Sequence, residues 1–379
     1  MRVLLRALIC CFCALLLSVP AFASDVLSVS AESAVVINAD DLSVVFGKNA
    51  DERLPMASTT KIMTSLIALE TGETEREIVL TDEMVLVEGT SMGLKTGDRA
   101  DLYTLVCGML LASGNDAANA VAIALSGSVS AFCDEMNKRA VELGMNNTHF
   151  VTPSGLDGEG HYSTAYDMAK LGAAAIRNED FLKICSSESL AVYYGNPPYR
   201  RILTNHNRLL KEFDGAIGVK TGFTKKSGRC LVSAAKRGGV TLVAVTLNAP
   251  DDWNDHKKLL EYGFEKVHSY PLDTDLTEVS VRVTGGNAGY IDVECGFEPS
   301  YTGFDCKNIT REVYVPGFLY APVSKGQTVG EVCYYKDGKL ISRTGIQSIE
   351  SVSVKQGAQK KKSGLFQKIK EFFRRKYGG

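Results

Sequence analysis

The chain has 379 residues, of which 45% are hydrophobic and 23% charged, so it has room for more than one packed domain. The formal net charge is −2, which gives no reason to expect a nucleic-acid partner. The cysteines and histidines beyond residue 23 exclude a zinc framework and a dense disulfide scaffold, because no C-x-x-C and no H-E-x-x-H occurs there.

The first element is a secretory signal, expected over residues 1–23. Arg2 and Arg6 precede an apolar run over residues 8–17, and Pro20-Ala-Phe-Ala23 offers a small-residue cleavage site. The run is short for an uncleaved membrane span, which is the alternative. Cleavage would leave seven cysteines, an odd number, with Cys295 and Cys306 as a candidate bridge that nothing else supports.

A catalytic body is expected over residues 24–270. Ala34-Val-Val-Ile-Asn38 and Ser43-Val-Val-Phe46 alternate as short strands around an Asp40-Asp41 turn. Apolar residues at helical spacing then predict a helix from near Ala57 to near Gly72. Further helices are predicted over 102–111, from 115 to 125, and over 132–143, with a break at Ser113-Gly114. Residues 216–223, 230–235 and 240–247 read as three antiparallel strands, followed by a helix over 254–264. The expected fold class is α/β (α+β): an antiparallel sheet with an inserted helical subdomain. Short alternating runs then predict a small all-β domain over 271–354.

From Lys355 onward there are nine basic residues and one acidic, whereas residues 25–354 are acidic overall. Leu365, Phe366, Ile369, Phe372, Phe373 and Tyr377 share one face of a predicted helix, with Lys368, Lys370, Arg374 and Arg375 off it. Residues 355–379 therefore read as a basic linker and an amphipathic helix lying on an anionic membrane surface. The competing reading docks that helix on the protein's own body.

Three short strings carry chemistry: Ser58-Thr-Thr-Lys61, Ser113-Gly-Asn115 and Lys220-Thr-Gly222. A serine needs a base, and a lysine is one only when burial and nearby cations depress its pKa. Spacing of three on a helix puts Ser58 and Lys61 on one face. Ser58 also reads as an ordinary helix cap, and Asn115 as another. Ser113 would relay a proton and Asn115 would hold a substrate amide. Lys220 would supply positive charge, Thr221 would bond a carboxylate, and Gly222 would let a substrate strand approach closely.

Three decoys exist. Ser233 and Lys236 also match S-x-x-K, but on a strand residues three apart face opposite sides. Lys95-Thr-Gly97 runs into Asp98 in a turn. Gly89-Thr-Ser91-Met-Gly93 matches G-x-S-x-G without the strand-to-helix elbow that motif requires.

Together with Met56-Ala-Ser-Thr-Thr-Lys-Ile-Met-Thr, Gly160-His-Tyr-Ser-Thr-Ala and Gly218-Val-Lys-Thr-Gly-Phe-Thr, the strings resemble the serine-type D-alanyl-D-alanine carboxypeptidases, the low-molecular-mass penicillin-binding proteins. The resemblance implies that Ser58, Lys61 and Ser113 are catalytic. It implies that Asn115, Lys220, Thr221, Gly222 and Phe223 bind substrate, with an oxyanion hole formed by the N–H groups of Ser58 and Phe223. It implies peptidoglycan stem peptides as substrate, β-lactam antibiotics as acylating inhibitors, no cofactor and no metal. It places the enzyme outside the cytoplasmic membrane, held to its outer face. A class A β-lactamase would need S-D-N and a deacylating glutamate, and a non-catalytic wall-binding scaffold would need a degenerate site. One departure stands out. Many relatives carry a carboxylate-binding arginine after the third strand, where this chain has Pro250-Asp-Asp-Trp-Asn-Asp-His256. His256 is a candidate substitute.

Overall fold

The computed structural model describes residues 27–356. The expected signal and the expected amphipathic tail helix lie outside the described residues. The chain divides into two compact units, one ending at His268 and the other beginning at Ser269.

The first unit is built on a five-stranded antiparallel sheet. Its strands are β1 (Ser33–Asn38), β2 (Val44–Lys48), β7 (Ala216–Thr224), β8 (Gly228–Arg237) and β9 (Val240–Leu247), in the order β2-β1-β9-β8-β7. A second sheet joins β3 (Glu77–Val79), β4 (Arg99–Asp101), β5 (Ser189–Gly195) and β6 (Pro198–Thr204) in chain order.

The apolar runs in the main sheet are continuous because both faces are covered. Side chains alternate across a strand, so each run feeds two cores. Val35 and Ile37 pack with Val243, Val245 and Val232 on one face. Ala34 and Val36 pack with Leu242, Ala244 and Leu231 on the other. The first core takes in Ile62, Met63, Leu105, Val121 and Met168 from the helices Lys61–Glu70, Leu102–Leu110, Asn115–Ser126 and Ala165–Ala175. The second is closed by Leu259 and Leu260 of the helix Asp252–Lys266. Each fully buried leucine or valine contributes roughly 1.5–3 kcal/mol, so the sheet is stabilised from both sides.

Helix starts follow local capping chemistry. The Asp101 side chain accepts from Thr104 N, Ser128 from Ala131 N and Thr164 from Asp167 N. The Ser128 cap starts the fourth helix at Val129, three residues before the apolar pattern suggested. Gly127, at φ 78°, ends the helix before it.

The second unit is mainly a six-stranded sheet. Its order is Ile309–Tyr314, Thr328–Lys336, Lys339–Ser348, Tyr290–Cys295, Ser280–Thr284, Leu319–Tyr320. Val281, Val283, Ile291, Val293, Val332 and Tyr334 form one buried face, while alternate residues on the first strands are exposed. That is the period-2 pattern of a sheet with one covered face. All seven described cysteines are free, so Cys295 and Cys306 are not bridged.

Candidate active site

Ser58 does not start an α-helix. Residues Ala57–Thr60 form a 3₁₀ turn, and the α-helix begins at Lys61. A 3₁₀ turn has three residues per turn, so positions i and i+3 eclipse. The tighter turn stacks the Lys61 side chain directly on Ser58, and Lys61 Nζ lies 2.9 Å from Ser58 Oγ. The turn shows no side-chain cap bond, so the capping role does not account for Ser58.

Lys61 is fully buried. Besides Ser58 Oγ, its Nζ faces Asn115 Oδ1 at 2.7 Å and the Ser154 carbonyl at 2.6 Å. Asn115 Nδ2 donates to the Glu88 carbonyl at 2.7 Å, which fixes Oδ1 toward the lysine. Both of those lysine partners can only accept. A neutral amine has two N–H donors and one lone pair, so it bonds both acceptors and leaves the lone pair for the serine O–H. Burial first, and the Lys220 ammonium second, hold the Lys61 pKa well below the ordinary lysine range, with the Asp116 carboxylate opposing them. Burial favours the neutral amine, and the geometry lets that amine accept from the Ser58 hydroxyl.

Ser113 sits in the break between two helices, nearly buried at φ 58°. Gly114 beside it has no room for a side chain: a Cβ there would stand 2.6 Å from Asp116 Oδ1 and 3.1 Å from Met92 N. Asp116 is itself fully buried. Its carboxylate accepts from Met92 N at 3.0 Å, Gly93 N at 3.1 Å, Leu94 N at 3.0 Å and Ser91 Oγ at 2.6 Å. It clamps the loop that the G-x-S-x-G string occupies, and Ser91 is part of that clamp.

Lys220, Thr221, Gly222 and Phe223 lie on β7, the last strand of the main sheet. Lys220 is 1% exposed, and its Nζ donates to the Thr221 carbonyl at 2.9 Å. Burial pushes its pKa down to about 7. Gly222 also answers to a need within the fold. A Cβ there would stand 3.0 Å from Ser58 N, 3.1 Å from Ala57 Cβ and 3.1 Å from Thr59 N. The glycine lets β7 close on the turn that carries Ser58, whatever a substrate does. Phe223 is exposed.

Gly155 escaped the sequence reading, as did the role of His161 within its quoted string. Gly155 has φ 83°, and a Cβ there would lie 1.8 Å from the Ala57 carbonyl oxygen. Its lack of a side chain sets the position of the neighbouring Ser154 carbonyl. His161 Nδ1 accepts from Val151 N at 3.0 Å, so Nε2 carries the proton and donates to Thr60 Oγ1 at 2.9 Å. Burial lowers its pKa to about 4, so it is a neutral strut under the turn.

The decoys fall away for physical reasons. Ser233 is buried against His256 Nδ1 at 2.5 Å, while Lys236 is exposed on the opposite side. Asp98 N bonds the Lys95 carbonyl at 3.0 Å, closing the turn that Lys95-Thr-Gly97 enters. His256 is no substitute for a surface arginine. It is fully buried between Ser233 and Thr246, and burial lowers its pKa to about 3.

A serine bonded to a buried lysine, beside the edge strand of an antiparallel sheet, defines a serine–lysine peptidase architecture. Residues 20–251 match the peptidase S11 family, D-alanyl-D-alanine carboxypeptidase, and residues 264–357 match the penicillin-binding protein 5 C-terminal domain. The chain is 34% identical to the D-alanyl-D-alanine carboxypeptidase DacF of Bacillus subtilis over 336 residues, 85% of this chain and 86% of that one. It is 32% identical to DacC of Escherichia coli over 371 residues, 92% of this chain and 89% of that one. Penicillin-binding protein 5 of Haemophilus influenzae superposes with a TM-score of 0.62 at 28% identity, covering 86% of this chain and 98% of that one. The chain belongs to the S11 peptidases, the D-alanyl-D-alanine carboxypeptidase family.

Proposed function

We propose that this protein is a serine-type carboxypeptidase that removes the terminal D-alanine from peptidoglycan stem peptides through an acyl-enzyme on Ser58. The observation that carries the reading is the 2.9 Å contact between Lys61 Nζ and Ser58 Oγ, made by a lysine that is wholly buried.

Lys61 Nζ takes the Ser58 proton as Oγ bonds to the carbonyl carbon between the two D-alanines. The oxyanion forms against the N–H groups of Ser58 and Phe223. Lys61 then hands that proton through Ser113, with Lys220 beside it, to the departing amine as the C–N bond breaks, and is neutral again. Free D-alanine leaves and an ester remains on Ser58. Water then adds to the ester carbonyl and gives its proton to Lys61, which returns it to Ser58 Oγ as the C–O bond to Ser58 breaks. Asn115 holds the substrate amide as well as Lys61. Thr221 bonds the terminal carboxylate, and Gly222 keeps β7 against the nucleophile. A β-lactam acylates Ser58 by the same first step and stays.

The basic, amphipathic residues 355–379 support attachment to an anionic membrane, and residues 1–23 support export to its outer face. Among the described residues, no single helix is long and apolar enough to cross a membrane. Deleting 355–379 is expected to release the protein from the membrane fraction. Retention would point to another anchor.

The test of the chemistry pairs two readouts on wild type and Ser58→Ala. Fluorescent penicillin should label wild type covalently and leave the variant blank, and wild type should release D-alanine from a stem pentapeptide. An unlabelled, inactive wild type sinks the peptidase reading. Label that persists on the variant removes Ser58 from its role.

A further inference from the structure

The arginine expected after the third strand is absent, and His256 is sealed inside the fold. The neighbouring strand carries another arginine. Arg229 lies on β8, directly opposite Phe223 of β7. In an antiparallel pair, opposite residues put their side chains on the same face, and positions two apart share it. Arg229 therefore shares a face with Phe223 and Thr221, next to the Lys220-Thr-Gly222 string.

Asp252 pins the arginine at one atom. Arg229 Nε donates to Asp252 Oδ1 at 2.9 Å, and that carboxylate is 4% exposed against 43% for the arginine side chain. The same Oδ1 accepts from Trp253 N at 3.0 Å, so the helix start holds the carboxylate still. The Trp253 ring lies 5.9 Å from the guanidinium carbon. Among the described residues, neither Nη group of Arg229 makes a protein hydrogen bond. A guanidinium fixed through Nε, with its outer donors open to solvent, is preset to bind a carboxylate.

Resting on the carboxypeptidase reading, we propose that Arg229, oriented by Asp252, is the residue that recognises the free terminal carboxylate of the substrate. The segment after the third strand supplies the anchor, Asp252, instead of the arginine. Arg229 determines specificity: it binds the end of the peptide and takes no part in proton transfer. Asp252 acts through it.

The test compares the full chain with two D-Ala-D-Ala peptides, one ending in a free carboxylate and one in a carboxamide. The readout is the ratio of their kcat/KM values. Wild type should favour the free acid. Arg229→Gln should cut that ratio by about tenfold to a hundredfold, the range of a hydrogen bond to a charged group. Asp252→Asn should cut it less, because the arginine stays but swings. Arg229→Lys keeps a charge without the fork, covers the case in which the glutamine variant fails to fold, and should also lower the ratio. A folded Arg229 variant with the wild-type ratio overturns the proposal, as does an active wild type with no preference for the acid. A wild type that cleaves neither peptide and takes no penicillin overturns the carboxypeptidase reading itself.

Discussion

The turn at Ser58 and the strand at Lys220 each bury a lysine, yet they treat it differently. Lys61 has three partners within 2.9 Å, and two of them only accept. Lys220 has one protein bond, to the next residue's carbonyl. The first lysine is saturated by the protein and poised to take a proton. The second is left with donors to spare, and burial has brought its pKa to about 7, where an arriving anion tips it to the charged form. Equal burial thus suits one lysine to act as a base and the other to receive an anion, because the neighbours differ.

Breaking the first region should have the largest effect. Lys61→Met fills a similar volume without an amine, and penicillin acylation should slow about 10²- to 10⁴-fold, the usual range for a general base. A loss under tenfold would mean that Ser58 finds its base elsewhere. Gly155→Ala comes next. It drives a Cβ into the Ala57 carbonyl at a φ that disfavours side chains, and should destabilise the unit by roughly 2–4 kcal/mol. The control is Gly97→Ala, also at positive φ (83°) but with nothing within 4 Å. It should lose only about 1 kcal/mol in thermal or urea unfolding. Equal losses would mean that backbone conformation, rather than the close contact, sets the requirement.

The smallest effect sharpens the contrast most. Lys61 works unprotonated, so activity falls as pH drops through its depressed pKa. Lys220 works protonated, so activity falls as pH rises through about 7. The kcat/KM profile should be a bell with its alkaline arm near 7. Lys220→Arg should remove that arm, because a guanidinium stays charged. An unchanged arm would assign it to another group.

Much of this was legible beforehand. The three strings, the order of strands β7, β8 and β9, and the rejection of Ser233 followed from spacing alone. What escaped depends on contacts distant in sequence. The Ser154 carbonyl reaches Lys61 across 93 positions, and Arg229 meets Asp252 across 23. No local pattern encodes either. The helix Ala165–Ala175 is rich in alanine and buried nearly all round, so it carries little amphipathic signal. The hairpin of β5 and β6 was missed as well, since Pro197 and Pro198 sit at its turn and argue against strands. Ser58 was assigned to an α-helix because 3₁₀ and α-helical spacing both place i and i+3 together.

The unbridged cysteines have a consequence for life outside the cell, where this family member is proposed to work. Burial pushes the thiols of Cys107 and Cys185 up to about 12, and those of Cys133 and Cys230 to about 11. Only the thiolate reacts, so these sulfurs are shielded from oxidants and alkylating reagents while the fold holds. Among the described cysteines Cys306 alone is exposed, and Cys295 is half-buried. Brief treatment of the native protein with an alkylating reagent should therefore mark Cys306 first, and the reactivity of the four buried thiols becomes a chemical gauge of unfolding.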